Sequence, residues 1–443
     1  MHVNITEKFN SFFFIGIGGV SMSGLAKYLL SLGKKVGGSD VARNTYTDEL
    51  IKMGAEISFE RTSDGIENFE LIIYTDAVKD TDLRLSAAKE LGKEIISRGK
   101  FLYEISLDFD AVIAVAGCHG KTTCTAMLAH IFAAADKKFS AHMGGNDLTF
   151  SNFYFCGTDY FITEACEYKK NFLLLKPTIA VVLNSEADHM ECYDGIEDLK
   201  NSYIEFAESA PVALTLYRDL PINTGFSFGF DRFSDYYAEN IKISDEALSF
   251  TACERGKALG NIDLNVHGKH NVLNALAAIA AARCAGIEFG LIQKGLQSFC
   301  GVERRFEKIG SFNGAVCIAD YAHHPNELRA VIRTASKICK GKLFVVFQPH
   351  TYSRTKNLFK DFVKVLSPLN DLLIYKTFAA REYYDDEGSA LTLSQAIKKS
   401  HYGDDINDLI DFLKRAREND VFLFLGAGDI YFLAKKAIVF LND

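Results

Sequence analysis

The chain lacks the features that would direct it to a nucleic acid, a membrane or the cell exterior. Basic residues are not in excess: 49 Lys and Arg stand against 57 Asp and Glu, a formal net charge of −8. Nucleic-acid and anionic-membrane surfaces call for a basic face, so neither is expected as the main partner. No apolar run reaches the roughly 18 residues of a spanning helix. The first residues lack a basic stretch leading into an apolar run and a small-residue cleavage site, so neither a membrane span nor export is expected. The ten cysteines include no C-x-x-C pair. That spacing argues against a zinc site or a disulfide framework and for reduced thiols in a cytoplasm. Internal repeats, low-complexity tracts and long linkers are also missing.

What is present fits a large enzyme. The 443 residues with 48% apolar content suffice for two to four domains with full cores. The most informative stretch runs Ala114-Val115-Ala116-Gly117-Cys118-His119-Gly120-Lys121-Thr122-Thr123. Ala111 to Ala116 reads as a buried strand and Thr122 to Ala135 as a helix. The glycines then lie at a strand-to-helix turn, where free N–H groups and the positive helix end face an anion. Phosphate is the natural occupant, with Lys121 reaching the outer phosphates and a following threonine hydroxyl ligating Mg²⁺. Val115 stands where a strict P-loop has its first glycine, so the loop is a shortened variant.

The chain reads as three α/β blocks. In the first, Phe12 to Ile17 is a strand, Gly16-Ile17-Gly18-Gly19 a turn, Met22 to Leu32 a helix and Lys35 to Gly38 the next strand, with further strands at Leu71 to Tyr74 and Glu94 to Ile96. Asp40 follows the glycines at about the twenty-residue spacing of a ribose ligand in a dinucleotide fold. With Gly24 at the far end the pattern departs from G-x-G-x-x-G, so it supports nucleotide-diphosphate binding in general, with NAD one reading.

The second block carries the phosphate loop. Its strands Tyr160 to Thr163 and Ile179 to Leu183 end in polar residues, Glu164 after one and Asn184, Glu186, Asp188 and His189 after the other. Carboxyl ends of parallel strands line the ligand crevice. Glu164 is placed like a metal-binding acid, and His189 like a second metal ligand or phosphate contact, with Asp188 a cap or surface carboxylate. Later, Asn271 and Asn274 share a face of a helix running to about Ala285. They suit an adenine edge or, equally, helix caps.

The third block begins near Val302, with strands Ala315 to Ala319, Lys342 to Phe347, Leu372 to Ile374 and Val421 to Leu425. Its strand ends are Asp320-Tyr321-Ala322-His323-His324-Pro325, Gln348-Pro349-His350-Thr351-Tyr352-Ser353-Arg354 and Gly426-Ala427-Gly428-Asp429. A sheet with His, Tyr and Arg at its carboxyl edge is building a polar site. The plain alternatives are helix capping for the histidines and a surface salt bridge for Arg354.

These residues carry a resemblance. Gly-x-His-Gly-Lys-Thr-Thr, Glu-Ala-Cys-Glu-Tyr, Glu-Ala-Asp-His-Met, Gly-Lys-His-Asn-Val-Leu-Asn-Ala, Gly-Val-Glu-Arg-Arg-Phe, Asp-Tyr-Ala-His-His-Pro and Phe-Gln-Pro-His-Thr-Tyr-Ser-Arg-Thr occur in the order seen in the Mur ligases, and the match spans almost the whole chain. The resemblance implies three α/β domains: a Rossmann-like domain over 1–108 for a UDP-sugar, a central P-loop ATPase-type parallel-sheet domain over 109–301 for ATP, and a Rossmann-like domain over 302–443 for an amino acid. The implied reaction joins L-alanine to the lactyl carboxylate of UDP-N-acetylmuramate through an acyl phosphate, giving ADP and phosphate.

It also implies the roles of individual residues. Gly117, Cys118, His119, Gly120, Lys121, Thr122 and Thr123 hold the ATP phosphates. Thr122 and Glu164 hold one Mg²⁺ and His189 a second. Asn271 and Asn274 serve the adenine, and Arg305 and Asp320 complete the nucleotide site. Gly16, Gly18, Gly19, Ser39, Asp40 and Thr75 hold the UDP-sugar. Tyr321, His323, His350 and Arg354 shape the alanine pocket, the Arg pairing the amino-acid carboxylate.

Some residues depart from the family pattern. Cys118 stands where Thr is common and Thr351 where some members have a second Arg. Thr75-Asp76-Ala77-Val78 replaces Ser-Ser-Ala-Ile, and the stretch from Pro211 to Asp235 is short. Three other readings stay open at this point. One is a sibling ligase that attaches a tripeptide, which shares the ATP site. Another is a folylpolyglutamate-type ligase, which would lack the first block. The third is a NAD-linked or nucleotide-sensing protein without ATP turnover.

Overall fold

The computed structural model describes residues 4–79, 81–186, 192–222, 225–243, 248–380 and 382–442. Among them three sheets form. The first has the order β3-β2-β1-β4-β5, all parallel, with β1 Ser11–Ile15, β2 Lys35–Ser39, β3 Glu56–Ser58, β4 Leu71–Tyr74 and β5 Glu94–Ser97. The run Phe12-Phe13-Phe14-Ile15 is buried throughout, as a central parallel strand covered on both faces must be.

The second sheet has the order β15-β14-β13-β12-β11-β10-β6-β9-β7-β8. Its parallel centre comprises β6 Ala111–Ala116, β9 Tyr160–Glu164, β10 Ile179–Val182 and β11 Val212–Leu216. The expected all-parallel character holds at this centre but not at the margins. At one edge β7 (Phe139–Asp147) pairs antiparallel with β8 (Ser151–Phe155). At the other, β12 (Phe226–Gly229) leads to β13 (Tyr236–Ile243), which pairs antiparallel with β14 (Leu248–Glu254), as β14 does with β15 (Lys257–Leu264). Connections of two or three residues join β7 to β8 and β14 to β15, and so short a turn reverses the strand, whereas β12 and β13 pair parallel.

The third sheet has the order β16-β17-β21-β18-β19-β20, with β16 Glu307–Phe312, β17 Ala315–Asp320, β18 Leu343–Phe347, β19 Asp371–Tyr375, β20 Ser400–Gly403 and β21 Val421–Leu425. β16 is its antiparallel strand.

By packing, the chain divides into two compact units. One contains both of the first two sheets and ends at Val302; the other starts at Glu303 and holds the third sheet. The first two sheets stay together because they share a core: Phe12, Phe14, Leu25 and Phe101 belong to one buried cluster with Ala114, Ala116, Phe161, Ala180 and Tyr203. The opposite face of the second sheet is covered by helices Lys121–Ala134, His270–Cys284 and Phe289–Ser298.

A polar seam crosses the junction of the first two sheets. Helix Val20–Ser31 directs Lys27 onto Glu49 (2.7 Å) and onto Asn152 Oδ1 (2.6 Å), and Asn152 Nδ2 donates back to Val20 O and Ser23 Oγ. A buried lysine needs such partners, and here the pairing fixes the helix against β8.

Candidate functional site

The phosphate loop is built by three adjoining strand ends. β6 runs between β10 and β9, with Ala116 opposite Val182 and Val115 opposite Glu164. Whatever follows β9 and β10 therefore flanks the loop that follows β6. Gly117 has φ 132°, and a Cβ there would lie 3.1 Å from Asn184 N and from Leu183 Cβ, so a side chain is excluded on backbone and space together. Gly120, φ 87°, is the N-cap of helix Lys121–Ala134. Asn184 braces the loop from the β10 side: its Oδ1 accepts from His119 N and its Nδ2 donates to His119 O, both at 3.0 Å. The loop thus presents the N-terminus of a fourteen-residue helix, a natural anion site.

From the β9 side, the Glu164 carboxylate accepts from Gly144 N on β7. A Cβ on Gly145 would sit 3.2 Å from Thr122 Cγ2, so Glu164, the β7 glycines and Thr122 share one corner. Glu167, to which no role was assigned from sequence, is 1% exposed and pairs with Lys121. Burial pushes the Lys121 ammonium down, but the Glu167 charge and hydrogen bond outweigh it and hold Lys121 above the usual lysine range. The signal for Glu167 was present as the second acid of Glu-Ala-Cys-Glu-Tyr; what the sequence lacks is the turn that brings it back to the loop.

Cys118 is buried, its thiol directed at Glu186 O (2.6 Å). His189 and Asp188 lie outside the described residues. Asn271 and Asn274 are not caps, since Lys269 occupies the N-cap of their helix. They form a relay in which Asn274 Nδ2 donates to Asn271 Oδ1 (3.0 Å) and Asn271 Nδ2 to His267 O (2.7 Å). Asn274 Oδ1 stands 2.4 Å from where a Gly120 Cβ would be, which places this amide pair against the phosphate loop.

The glycine turn after β1 is equally constrained. Gly16 has φ 86°, and a Cβ on it would meet Thr75 Cγ2 at 2.7 Å, bringing Thr75 onto the turn. Asp40 braces rather than projects: its Oδ2 accepts from Gly18 N and its Oδ1 from Val41 N, each at 2.7 Å. Ser39, 1% exposed, accepts at its carbonyl from Gly16 N and Ile17 N, and its buried hydroxyl has no hydrogen-bond partner among the described residues. Gly19 N-caps helix Val20–Ser31. Arg98, to which the sequence reading gave no role, donates to Ser21 Oγ in this helix's first turn (3.4 Å).

In the second unit, β17, β21 and β18 end side by side, Asp320 and Phe347 both opposite Leu425. Asp320 accepts from Phe306 N and Ala322 N (2.8 Å each). Burial raises its carboxyl to about 6 against the opposing pull of Arg305 and those two N–H groups. Arg304 and Phe306 both have positive φ (58° and 53°), a conformation that presents Arg305 between them. Arg305 lies over the Tyr321 ring at 5.3 Å, while Arg304 is taken up by Tyr431 and Phe432.

The histidines separate by role. His324 caps helix Pro325–Ile338 in a capping box with Glu327, so for this residue the plain reading holds. His323 faces His350 across 5.9 Å, and His350 stacks on Phe378. Burial lowers His323, and burial with His323 and Arg354 lowers His350 to about 4, so both are neutral near pH 7. Arg354 donates to His350 Nδ1 (3.1 Å) and His350 O (3.3 Å) and forms no ion pair among the described residues. Gln348, 1% exposed, holds the Gly426–Asp429 turn through Asp429 Oδ1 and Ile430 N.

Three family models match the chain: "Mur ligase family, catalytic domain" at residues 11–110, "Mur ligase middle domain" at 115–282 and "Mur ligase, glutamate ligase domain" at 304–428. The UDP-N-acetylmuramate–L-alanine ligase of Clostridium acetobutylicum is 39% identical over 436 residues, 94% of this chain and 95% of the relative. That of Lachnospira eligens is 39% identical over 440 residues, with the same coverage. Among solved structures, the UDP-N-acetylmuramate–alanine ligase of Thermotoga maritima superposes with a TM-score of 0.86 at 27% identity, covering 98% of this chain and 99% of that one.

Proposed function

The chain belongs to the Mur ligase family, and on that premise we infer its reaction and the residues that carry it. It is an ATP-dependent ligase joining L-alanine to the lactyl carboxylate of UDP-N-acetylmuramate, with release of ADP and phosphate. The observation that carries the chemistry is Lys121 at the head of a glycine-bounded helix, between the Glu164–Glu167 and Asn184 strand ends. The peptide-adding and NAD-binding readings are not favoured.

A carboxylate is a poor electrophile. Phosphoryl transfer converts its oxygen into a leaving group, the alanine amine attacks the acyl carbon, and phosphate departs. Catalysis of the first step is mainly positioning and charge neutralisation, so the loop N–H groups and Lys121 carry it. Neutral His323, whose Nδ1 donates to Tyr321 O, keeps Nε2 as an acceptor for an ammonium, and Arg354, donating to His350 Nδ1, can pair the carboxylate. Asn271 and Asn274 are assigned to the adenine, Arg305 and Asp320 to the nucleotide, and Gly16, Gly18, Gly19, Ser39, Asp40 and Thr75 to the UDP-sugar.

Mg²⁺ fits the donor set. Thr122 and Glu164 supply hard oxygens, and among the described residues no group of three or more acidic, His or Cys side chains could cage a metal alone. That suits an ion bound through one carboxylate and substrate phosphates. Bound there, it would neutralise charge on the outer phosphates. His189 is proposed for a second ion. No helix of the described residues is long and apolar enough to cross a membrane, and a cytoplasmic setting, where ATP and UDP-sugars are made, is proposed.

The test is ADP release with UDP-N-acetylmuramate and ATP when L-alanine or a tripeptide is the acceptor. Release dependent on L-alanine and UDP-N-acetylmuramate together is expected. Release with the tripeptide alone, or none with either acceptor, would refute the assignment.

A further inference from the structure

Lys121 is engaged in a way that a phosphate-loop lysine awaiting a ligand does not require. Its Nζ donates to Gly117 O at 2.5 Å and to the Glu167 carboxylate, 3.0 Å from Oε1 and 2.9 Å from Oε2, with Cys118 O at 3.4 Å. A four-carbon stem has many rotamers, and an ammonium recognises phosphate as a point charge without directional preference. Something else must fix where that charge stands.

Glu167 is suited to this because its own position is fixed. Its carbonyl accepts from the buried Tyr193 hydroxyl at 2.5 Å and from Lys170 N at 2.9 Å. The two residues that follow Tyr168 adopt left-handed backbone, Lys169 at φ 51° and Lys170 at φ 56°. Neither is glycine or asparagine, so surrounding contacts must hold this conformation. Those contacts are present: Lys170 Nζ pairs with Asp198 at 2.7 Å, and Asn171 Nδ2 donates to Asp76 Oδ2 at 3.0 Å. Through the Lys170 N–Glu167 O bond the strained turn closes back onto Glu167, whose side chain faces the phosphate loop, while Glu164 on the same segment faces β7.

We propose that Glu167 is a positioning residue for the ligase reaction, a carboxylate that sets the Lys121 ammonium at the point where the transferred phosphoryl group must be met. The assignment rests on the phosphate-loop reading above. It gives Glu-Ala-Cys-Glu two distinct acids: Glu164 for the metal corner and Glu167 for the lysine. Because the carboxylate and the phosphate compete for one ammonium, Glu167 also limits how tightly Lys121 binds ATP in the ground state, reserving its charge for transfer.

The experiment compares Glu167→Ala, Glu167→Gln and Glu167→Asp with the parent and Lys121→Ala. Circular dichroism and thermal melting verify folding, and the isosteric Gln variant serves if Ala does not fold. For Ala or Gln, kcat should fall on the order of a hundredfold, the loss expected when a catalytic group is misplaced by about 1 Å. The KM values for L-alanine and the UDP-sugar should be little changed, and Asp, which keeps the charge, should recover part of the loss. Calorimetry with ADP and with a non-hydrolysable ATP analogue gives a readout without turnover: the parent should discriminate between them, and the Ala and Gln variants should do so differently.

Full kcat in both Ala and Gln variants would overturn the proposal. So would recovery of their activity by excess Mg²⁺, which would make Glu167 a metal ligand, or equal losses for all three substrates with a lowered melting temperature, which would make it merely structural. If Lys121→Ala stays active, the phosphate-loop reading itself fails. If Lys121→Ala is inactive while Glu167→Gln is fully active, only the positioning role fails.

Discussion

In the assignment proposed above, Lys121 and Arg354 each bring one charge to one half of the reaction. If Lys121 is the main protein counter-charge for the outer phosphates, as proposed, Lys121→Ala should abolish measurable ligation in a folded protein. Activity within a few-fold of the parent in an ADP-release assay would contradict this. Arg354 forms no ion pair among the described residues and is held through His350, which leaves its guanidinium for a carboxylate. Arg354→Ala should raise the KM for L-alanine by roughly ten- to a hundredfold, the equivalent of about 1.5–3 kcal/mol for one charge-assisted pair. The KM values for ATP and the UDP-sugar should move much less; initial rates with each substrate varied in turn decide the matter.

His142 gives a pH prediction at the same scale. It is 2% exposed, its Nδ1 lies 3.1 Å from Thr163 Oγ1 and its Nε2 3.2 Å from Ser21 O. Burial, aided by the Arg98 charge, lowers it from 6.5 to about 4. A histidine whose folded value lies below its unfolded value costs nothing above pH 6.5. It destabilises as pH falls from there to about 4, because the unfolded chain binds the proton first. The loss over that window should be roughly 3 kcal/mol. Urea midpoints between neutral pH and pH 4 should fall more steeply for the parent than for His142→Gln; parallel curves would exclude the effect.

At the scale of elements, legibility followed burial. β1, β4, β6 and β21 are unbroken apolar runs buried on both faces, and each was found in the sequence within two residues of its observed ends. The margins of the second sheet were missed for a physical reason. β7 carries two glycines and β15 reads Lys-Ala-Leu-Gly-Asn-Ile-Asp-Leu, with a register shift where it pairs with β14, so neither shows clean alternation. In the site, residues directly at strand ends were legible, because that position follows from the strand itself. The Glu167 contact and the approach of Asn274 to Gly120 were not, since a turn after β9 and the packing of a distant helix produce them.

One such approach yields a prediction. A Cβ on Gly295 would lie 2.4 Å from Ile131 Cα and 2.8 Å from Ile131 N, so helix Phe289–Ser298 meets helix Lys121–Ala134 backbone to side-chain-free backbone. Gly295→Ala should destabilise by roughly 1–3 kcal/mol or more, as overpacking does. Gly290, on the same helix with open space around it, is the control: Gly290→Ala should stabilise by about 0.4–1 kcal/mol. Thermal melts showing the two substitutions equal would refute the close approach.

At the scale of the whole molecule, the division into two compact units predicts that ligands act on them unequally. A large chain of this kind is not expected to unfold in one two-state step. Saturating ATP with Mg²⁺ should stabilise the unit that carries the phosphate loop, by about 2.7 kcal/mol at a hundredfold excess over Kd. Lys121→Ala should remove most of that shift, and a calorimetric scan that moves identically for parent and variant would count against nucleotide binding there.

The shared core of the first two sheets and the Lys27–Asn152 seam across it bear on exchange of parts between relatives. Residues 11–110 match one family model and 115–282 another, which invites transplanting the first segment alone to alter the sugar-nucleotide that is accepted. Such a chimera would bring a foreign helix against β8 and leave buried Asn152 facing the wrong group in a place closed to water. A working graft must carry Ser151, Asn152 and His142 with the donor segment. If residues 11–110 hold the UDP-sugar, as proposed, specificity in this chain is inherited in a larger block than that segment alone.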